Sequence, residues 1–146
     1  MKFEFSAGGI VFKKRQATSD KRQDEILILV AQHSQHHGWV FPKGLIDPGE
    51  KKEETAIREV EEETGVKAKI LKSLKPIEFW YVWEGEKRKK TVYYFLMEAT
   101  GGNIEKHDKE MEKVEWLPQE EVEQRLTYKS EKEVWEEAKQ LIGSSL

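Results

Sequence analysis

Between Gly44 and Val66 the chain reads GLIDPGEKKEETAIREVEEETGV, a stretch with seven glutamates. On a helix, carboxylates three and four residues apart repel by about 0.2–0.5 kcal/mol per pair. A fold that concentrates them needs a positive partner nearby. Asp47-Pro48-Gly49 puts Pro and Gly at the two central positions of a type II turn. Lys51 to Thr64 is then predicted as a helix stopped by Gly65. Ala56, Ile57 and Val60 form a narrow apolar stripe expected to face the core. Glu59, Glu62 and Glu63, at i, i+3 and i+4, share a different side. With one side fixed by packing, the acidic side can line a cavity. Clustered carboxylates without His or Cys suit a hard cation, Mg²⁺ or Mn²⁺. Mg²⁺ would keep several waters and bridge to a substrate phosphate, and it is the expected counter-charge.

The remaining composition allows such a site. With 146 residues, 37% hydrophobic and 10% aromatic, the chain is expected to fold as one domain, 1–146, around one core. Charged residues reach 36%, against about 25% in ordinary soluble domains, which predicts a heavily charged surface. The net charge of -3 supplies no global field for nucleic acid, so a negative ligand would need metal or local basic groups. Without cysteine, disulfides and thiolate metal sites are excluded. No stretch approaches the roughly 20 apolar residues of a membrane span. A cytoplasmic protein with no membrane partner is expected, as a monomer or a homodimer.

The pattern elsewhere is a mixed α/β (α+β) one. Strands are predicted at 3–13, where Gly8 and Gly9 allow a bulge or close backbone approach, and at 25–32, after a polar loop at 16–24. A loop or short strand, HHGWVFPKG, is expected to end at Pro42 and Gly44. Further strands are expected at 66–74, 77–85, 90–99 and 113–117, with a turn at 84–87 and a helix from Gln119. Ser130 with Glu133 reads as a capping box for a last helix, whose Val134, Trp135, Ala138, Leu141 and Ile142 make an apolar stripe.

A run of glutamates alone is most simply a solvated face. Here it lies within a longer pattern: Gly44, five residues, Glu50, seven residues, Arg58-Glu59, Val60, one residue, Glu62-Glu63, one residue, Gly65 and Val66. Chance agreement is on the order of 10⁻⁸ per starting position. This resembles the Nudix box of the Nudix hydrolases, and every defined position matches. The resemblance implies an α/β/α sandwich with a mixed sheet, in which the box forms a loop–helix–loop. It also implies cleavage of a nucleoside diphosphate linked to another group by water and divalent cations. Carried across, Glu59, Glu62 and Glu63 become metal ligands, the Gly44 carbonyl a further ligand, and Glu50 with Arg58 a brace between loop and helix.

Three flanking stretches resemble the branch that hydrolyses dinucleoside polyphosphates: HHGWVFPKG (36–44), KKTVYYFL (89–96) and HDKEMEKVEWL (107–117). This implies that Lys43 and Lys90 hold phosphates with His37 as helper. Glu110 would be a carboxylate outside the box, ligand or base. Tyr81 and Tyr128 would sandwich an adenine, at roughly 1–3 kcal/mol per stacked base. A one-residue slip of its strand would instead bury Tyr81. Lys87, Arg88 and Lys89 read as charge guarding an edge, and Trp39, Trp116 and Trp135 as packing. His33 and His107 are assigned no function. The expected reaction is asymmetric hydrolysis of diadenosine tetraphosphate to ATP and AMP. Alternatives are a nucleoside-triphosphate pyrophosphohydrolase, an RNA 5′-pyrophosphohydrolase, a diphosphoinositol phosphatase and a non-catalytic nucleotide-binding regulator. The charge of -3 disfavours the two whose ligands are large polyanions.

Overall fold

The computed structural model describes residues 1–20 and 24–145, so Lys21, Arg22 and Gln23 of the expected polar loop lie outside the described residues. The longest strands, β1 (Lys2–Arg15) and β7 (Glu86–Gly102), run parallel, with Phe3 opposite Lys89 and Phe12 opposite Glu98. Beyond β7 lie β5 (Val66–Ser73) and β6 (Ile77–Trp83), both antiparallel to it. On its other side β1 changes partner. Ser6, Ala7 and Gly8 pair with β4 (Lys43–Leu45), whereas Phe12 to Arg15 pair with β2 (Glu25–His33). β2 then holds β3 (Trp39–Val40) and β8 (Met111–Pro118). The sheet is mixed, as expected.

Alternate side chains leave opposite faces of a strand, and here each face meets a different helix. Ile10, Phe12, Val92, Tyr94 and Leu96 pack with Val134, Trp135, Ala138 and Ile142 of α3 (Lys129–Ser145). Ala7, Val11, Phe95 and Met97 pack with Ala56 and Val60 of α1 (Lys52–Thr64). The result is the expected α/β/α sandwich. The turn before α1 also forms: Gly49 has φ 81°, and the Glu50 N–H donates to the Asp47 carbonyl at 3.0 Å. The close approach expected at Gly8 and Gly9 is made to Pro42, whose carbonyl accepts from the Gly9 N–H at 3.1 Å.

Five local expectations are corrected. Ile57 is 40% exposed, because the buried side of α1 runs through Thr55, Ala56, Val60, Glu63 and Thr64 and leaves Ile57 beyond it. The segment after Pro42 continues as β4, since β1 offers its backbone there. β7 begins at Glu86, directly after Glu84-Gly85, because β6 pairs with it as far as Trp83 opposite Glu86. Ser130 lies inside α3, which starts at Lys129, and the Lys132 N–H already donates to the Tyr128 carbonyl at 3.2 Å. The segment from Gln119 is a 3-10 turn followed by the single-turn helix α2 (Val122–Arg125).

Candidate active site

The loop and helix of the acidic stretch are joined through one guanidinium. Arg58 donates from Nε to Glu50 Oε2 at 2.8 Å and from Nη2 to Glu50 Oε1 at 2.9 Å. Its Nη1 donates to Glu59 at 2.7 Å and to Glu62 at 3.1 Å. Thr55 adds its hydroxyl to Glu50 Oε1 at 2.6 Å. Hydrogen bonds from Arg58, then Thr55, hold the Glu50 carboxyl down to about 2, and the bonds to Glu50, Glu59 and Glu62 raise the Arg58 pKa. Part of the positive charge that the glutamates require is therefore supplied by the chain itself.

The remaining carboxylates have less. Glu63 is 3% exposed and, among the described residues, accepts only the Lys43 N–H, at 3.1 Å. Burial first, then the charge of Glu59, pushes its carboxyl up to about 9. Burial also raises Glu59, against the pull of Arg58. A Cβ on Gly44 would lie 2.1–2.5 Å from the Glu59 carboxylate atoms, so any side chain at residue 44 would displace that carboxylate from its present place. Gly44, Glu59, Glu63 and Glu110 line one cavity of about 450 Å³, together with Lys43, Lys90, His33 and His36. Glu62 is not among its lining residues. It is half exposed and lines a shallow hollow with Ile57, Glu61 and Lys106.

Among the described residues no three His, Cys, Asp or Glu side chains stand close enough together to hold a metal ion between them as they lie. What the cavity offers is a buried carboxylate, a half-buried neighbour and a third carboxylate at the rim, opposed mainly by Lys43 and Arg58. This all-oxygen, open set fits a hard divalent cation that keeps part of its water shell. Asp108 is an acid that sequence reasoning passed over. Its Oδ1 accepts the Glu110 N–H at 3.0 Å and its own N–H donates to the Glu62 carbonyl at 3.0 Å. Burial first, and then the charge of Glu110, raise its pKa. The one signal was its place two residues before Glu110.

A second cavity of about 460 Å³ shares Lys43 and Lys90 with the first and is lined also by Phe79, Tyr94, Tyr128 and Glu131. Burial first, then the charge of Lys43, lowers the Lys90 pKa. Two lysines thus face each other between the carboxylates and an aromatic slot. Tyr81 does not line that slot. It stands two residues further along β6, its ring 6.2 Å from that of Phe79, and Phe79 occupies the expected place because it is the residue opposite Lys90. His37 is also displaced: with φ 58° it turns to Glu112, at 3.0 Å. His36 faces the cavity instead, stacked on His33 at 4.2 Å, with its Nδ1 3.0 Å from the Tyr128 hydroxyl. Burial, then the charges of His33, Lys43 and His37, lowers its pKa. Of the tryptophans, Trp135 is buried, while Trp39 and Trp116 pack half-buried under Arg125 and Lys13.

A sandwich carrying an acidic loop–helix–loop at the parting of its sheet defines a class, and comparison with known proteins agrees. The NUDIX domain model matches residues 7–140, and the chain belongs to the Nudix family. It is 34% identical over 142 residues to the asymmetrical bis(5′-nucleosyl)-tetraphosphatase of Mus musculus, covering 96% of each chain. It is 38% identical over 141 residues to a Mycobacterium tuberculosis protein that carries the mutator name MutT4. That match takes in 95% of this chain but spans only 56% of that protein's length. Among solved structures, a C. elegans Ap4A hydrolase binary complex has the same fold, with TM-score 0.74 at 21% identity over 97% of this chain and 99% of that one.

Proposed function

We propose that this Nudix hydrolase cleaves dinucleoside polyphosphates with Mg²⁺, and that it splits diadenosine tetraphosphate asymmetrically into ATP and AMP. One observation carries the reading: carboxylates, two facing lysines and an aromatic slot form one continuous path across two adjoining cavities. A polyphosphate chain needs the middle of that path and a nucleobase its end. The identity to the mouse tetraphosphatase supports the same substrate.

In this reading Glu59 and Glu63, with the Gly44 carbonyl, would hold the cation, and Glu62, bonded to Arg58 outside the cavity, would have to turn inward to join them. The bound cation would neutralise the phosphates and make water a better nucleophile. Lys43 and Lys90 hold the phosphate chain, and Lys90, already facing another cation, gains from an anion between them. His36 lies beside Lys43 at the wall. Tyr128 and Phe79 bracket the base. Glu110, outside the helix, takes the proton of the attacking water. The water oxygen bonds to phosphorus as the bridging P–O bond breaks.

The test is a substrate panel at fixed Mg²⁺ with products separated by chromatography. Diadenosine tetraphosphate should exceed ATP and dGTP by at least about 10-fold in kcat/KM, roughly 1.4 kcal/mol. The MutT4 likeness favours a second reading, a nucleoside-triphosphate pyrophosphohydrolase. A mononucleotide that equals or beats the dinucleotide would establish it instead.

A further inference from the structure

Glu131 is a buried acid that the reaction above leaves idle. It reaches from the first turn of α3 into the aromatic cavity and is 4% exposed. Its Oε2 accepts the Phe41 N–H at 2.8 Å and the Tyr94 hydroxyl at 3.1 Å. Burial raises the Tyr94 pKa, so that hydroxyl keeps its proton and donates. Nothing among the described residues donates to Oε1. Nor is Oε1 sealed in the core: among the described residues the sealed atoms lacking partners are Glu4 Oε1, Ser6 Oγ and Arg88 Nε. The second oxygen of Glu131 therefore opens into the cavity between Phe79, Tyr128 and the two lysines.

A tie between α3, Phe41 and Tyr94 needs only one acceptor oxygen, which an amide would provide without the cost of burying a charge. Here the carboxyl is retained. Burial, the largest effect, raises its pKa, and Lys43 and the two donors offset this only in part. A buried carboxyl oxygen without a donor is costly until something supplies an N–H, and the slot is bounded by aromatic rings suited to a flat heterocycle.

We propose that Glu131 Oε1 accepts a hydrogen bond from the exocyclic 6-amino group of an adenine held between Phe79 and Tyr128, and so sets the base specificity of the enzyme. This rests on reading the site as a nucleotide hydrolase's. Hypoxanthine differs at that position, presenting a carbonyl oxygen that would face the carboxylate acceptor to acceptor. In Glu131→Gln the amide oxygen can still take the Phe41 and Tyr94 donors, and the NH₂ then faces the cavity. The polarity of the reading atom is reversed with little change in shape.

The experiment compares kcat/KM for diadenosine against diinosine tetraphosphate and for ATP against ITP, in wild type and Glu131→Gln. The ratio between bases tests Glu131, whereas the ratio between dinucleotides and mononucleotides tests the proposed substrate, so the two can fail separately. Wild type should favour the adenine member by at least about 10-fold, as sites built around a substrate N–H do. Glu131→Gln should bring that ratio to about one or invert it. A wild type indifferent to the base, or a preference that survives in Glu131→Gln, would overturn the proposal. If the Gln chain does not fold, Glu131→Asp, which withdraws the acceptor by one methylene, must lower the same ratio. Binding of AMP against IMP gives an independent reading that needs no turnover, and equal affinities for wild type would count against the proposal.

Discussion

At Glu63 the physical chemistry of the site is concentrated in one side chain. Burial and Glu59 push it up to about 9, so without a cation it holds a proton at neutral pH, and if Glu63 ligates the proposed cation, that proton is displaced on binding. Glu63→Gln keeps an oxygen for the Lys43 N–H but cannot supply charge. The expected outcome is a loss of at least about 10²-fold in kcat at saturating Mg²⁺, with metal-free stability equal to wild type or higher. Steady-state rates and urea unfolding of the two chains check this, and a kcat near wild type would remove Glu63 from the ligand set. Neighbouring positions show what spacing can and cannot tell. Arg58 could be matched to Glu50 by position, and they do form a two-pronged ion pair. His37 could not be told from His36, because a left-handed backbone at residue 37 decides which ring faces the cavity.

Helix α1 shows the same division at the scale of an element. Its turn, its length and its stop are all written locally. Gly65 ends it in the left-handed region at φ 80°, ψ 0°, and the Gly65 N–H donates to the Glu61 carbonyl at 2.8 Å. A Cβ there would lie 2.0 Å from the Asn103 carbonyl oxygen, a backbone atom that cannot swing away. Gly65→Ala should therefore cost at least about 2 kcal/mol: about 1–2 for the left-handed conformation, with the collision added. Denaturant unfolding at constant m would read it, and a loss below about 0.5 kcal/mol would contradict the argument. Which side of α1 is buried was only half legible. Ala56 and Val60 meet the sheet, but Ile57 does not, since the width of the buried strip is set by the sheet beneath.

The whole molecule answers to pH through the acids it buries. For Glu63 the folded state keeps a proton, up to about 9, that the unfolded chain releases near 4.3. Its contribution is thus full below the unfolded value and is lost as pH rises towards about 9. Glu59, Asp108 and Glu131 are raised in the same direction. Glu50, held down to about 2, acts oppositely: its contribution is present above the unfolded value and lost as pH falls towards 2. The Tm of the metal-free chain should accordingly be higher at about pH 5.5 than at about pH 8.5, and Mg²⁺ should raise Tm more at the higher pH. Calorimetry at the two values, with and without Mg²⁺, tests the sign. A metal-free Tm that climbs across that interval would refute it.

The sequence by itself determined whatever depends on residues close along the chain. The Pro48-Gly49 turn, the acidic side of α1, the Gly65 stop and the Nudix pattern all lie within 44–66. The stripe of α3 was legible for the same reason, since a helical period tells a buried face from a solvated one. Only the tertiary structure decided which strands lie side by side. The pairing of β6 with β7 sets Phe79, not Tyr81, opposite Lys90. The change of partner along β1 parts β4 from β2 beside the cavity. The packing of α3 carries Glu131 to Phe41 and Tyr94. A strand's register shifts by one residue without altering its local pattern, and contacts between distant residues are chosen by the packing of the whole core.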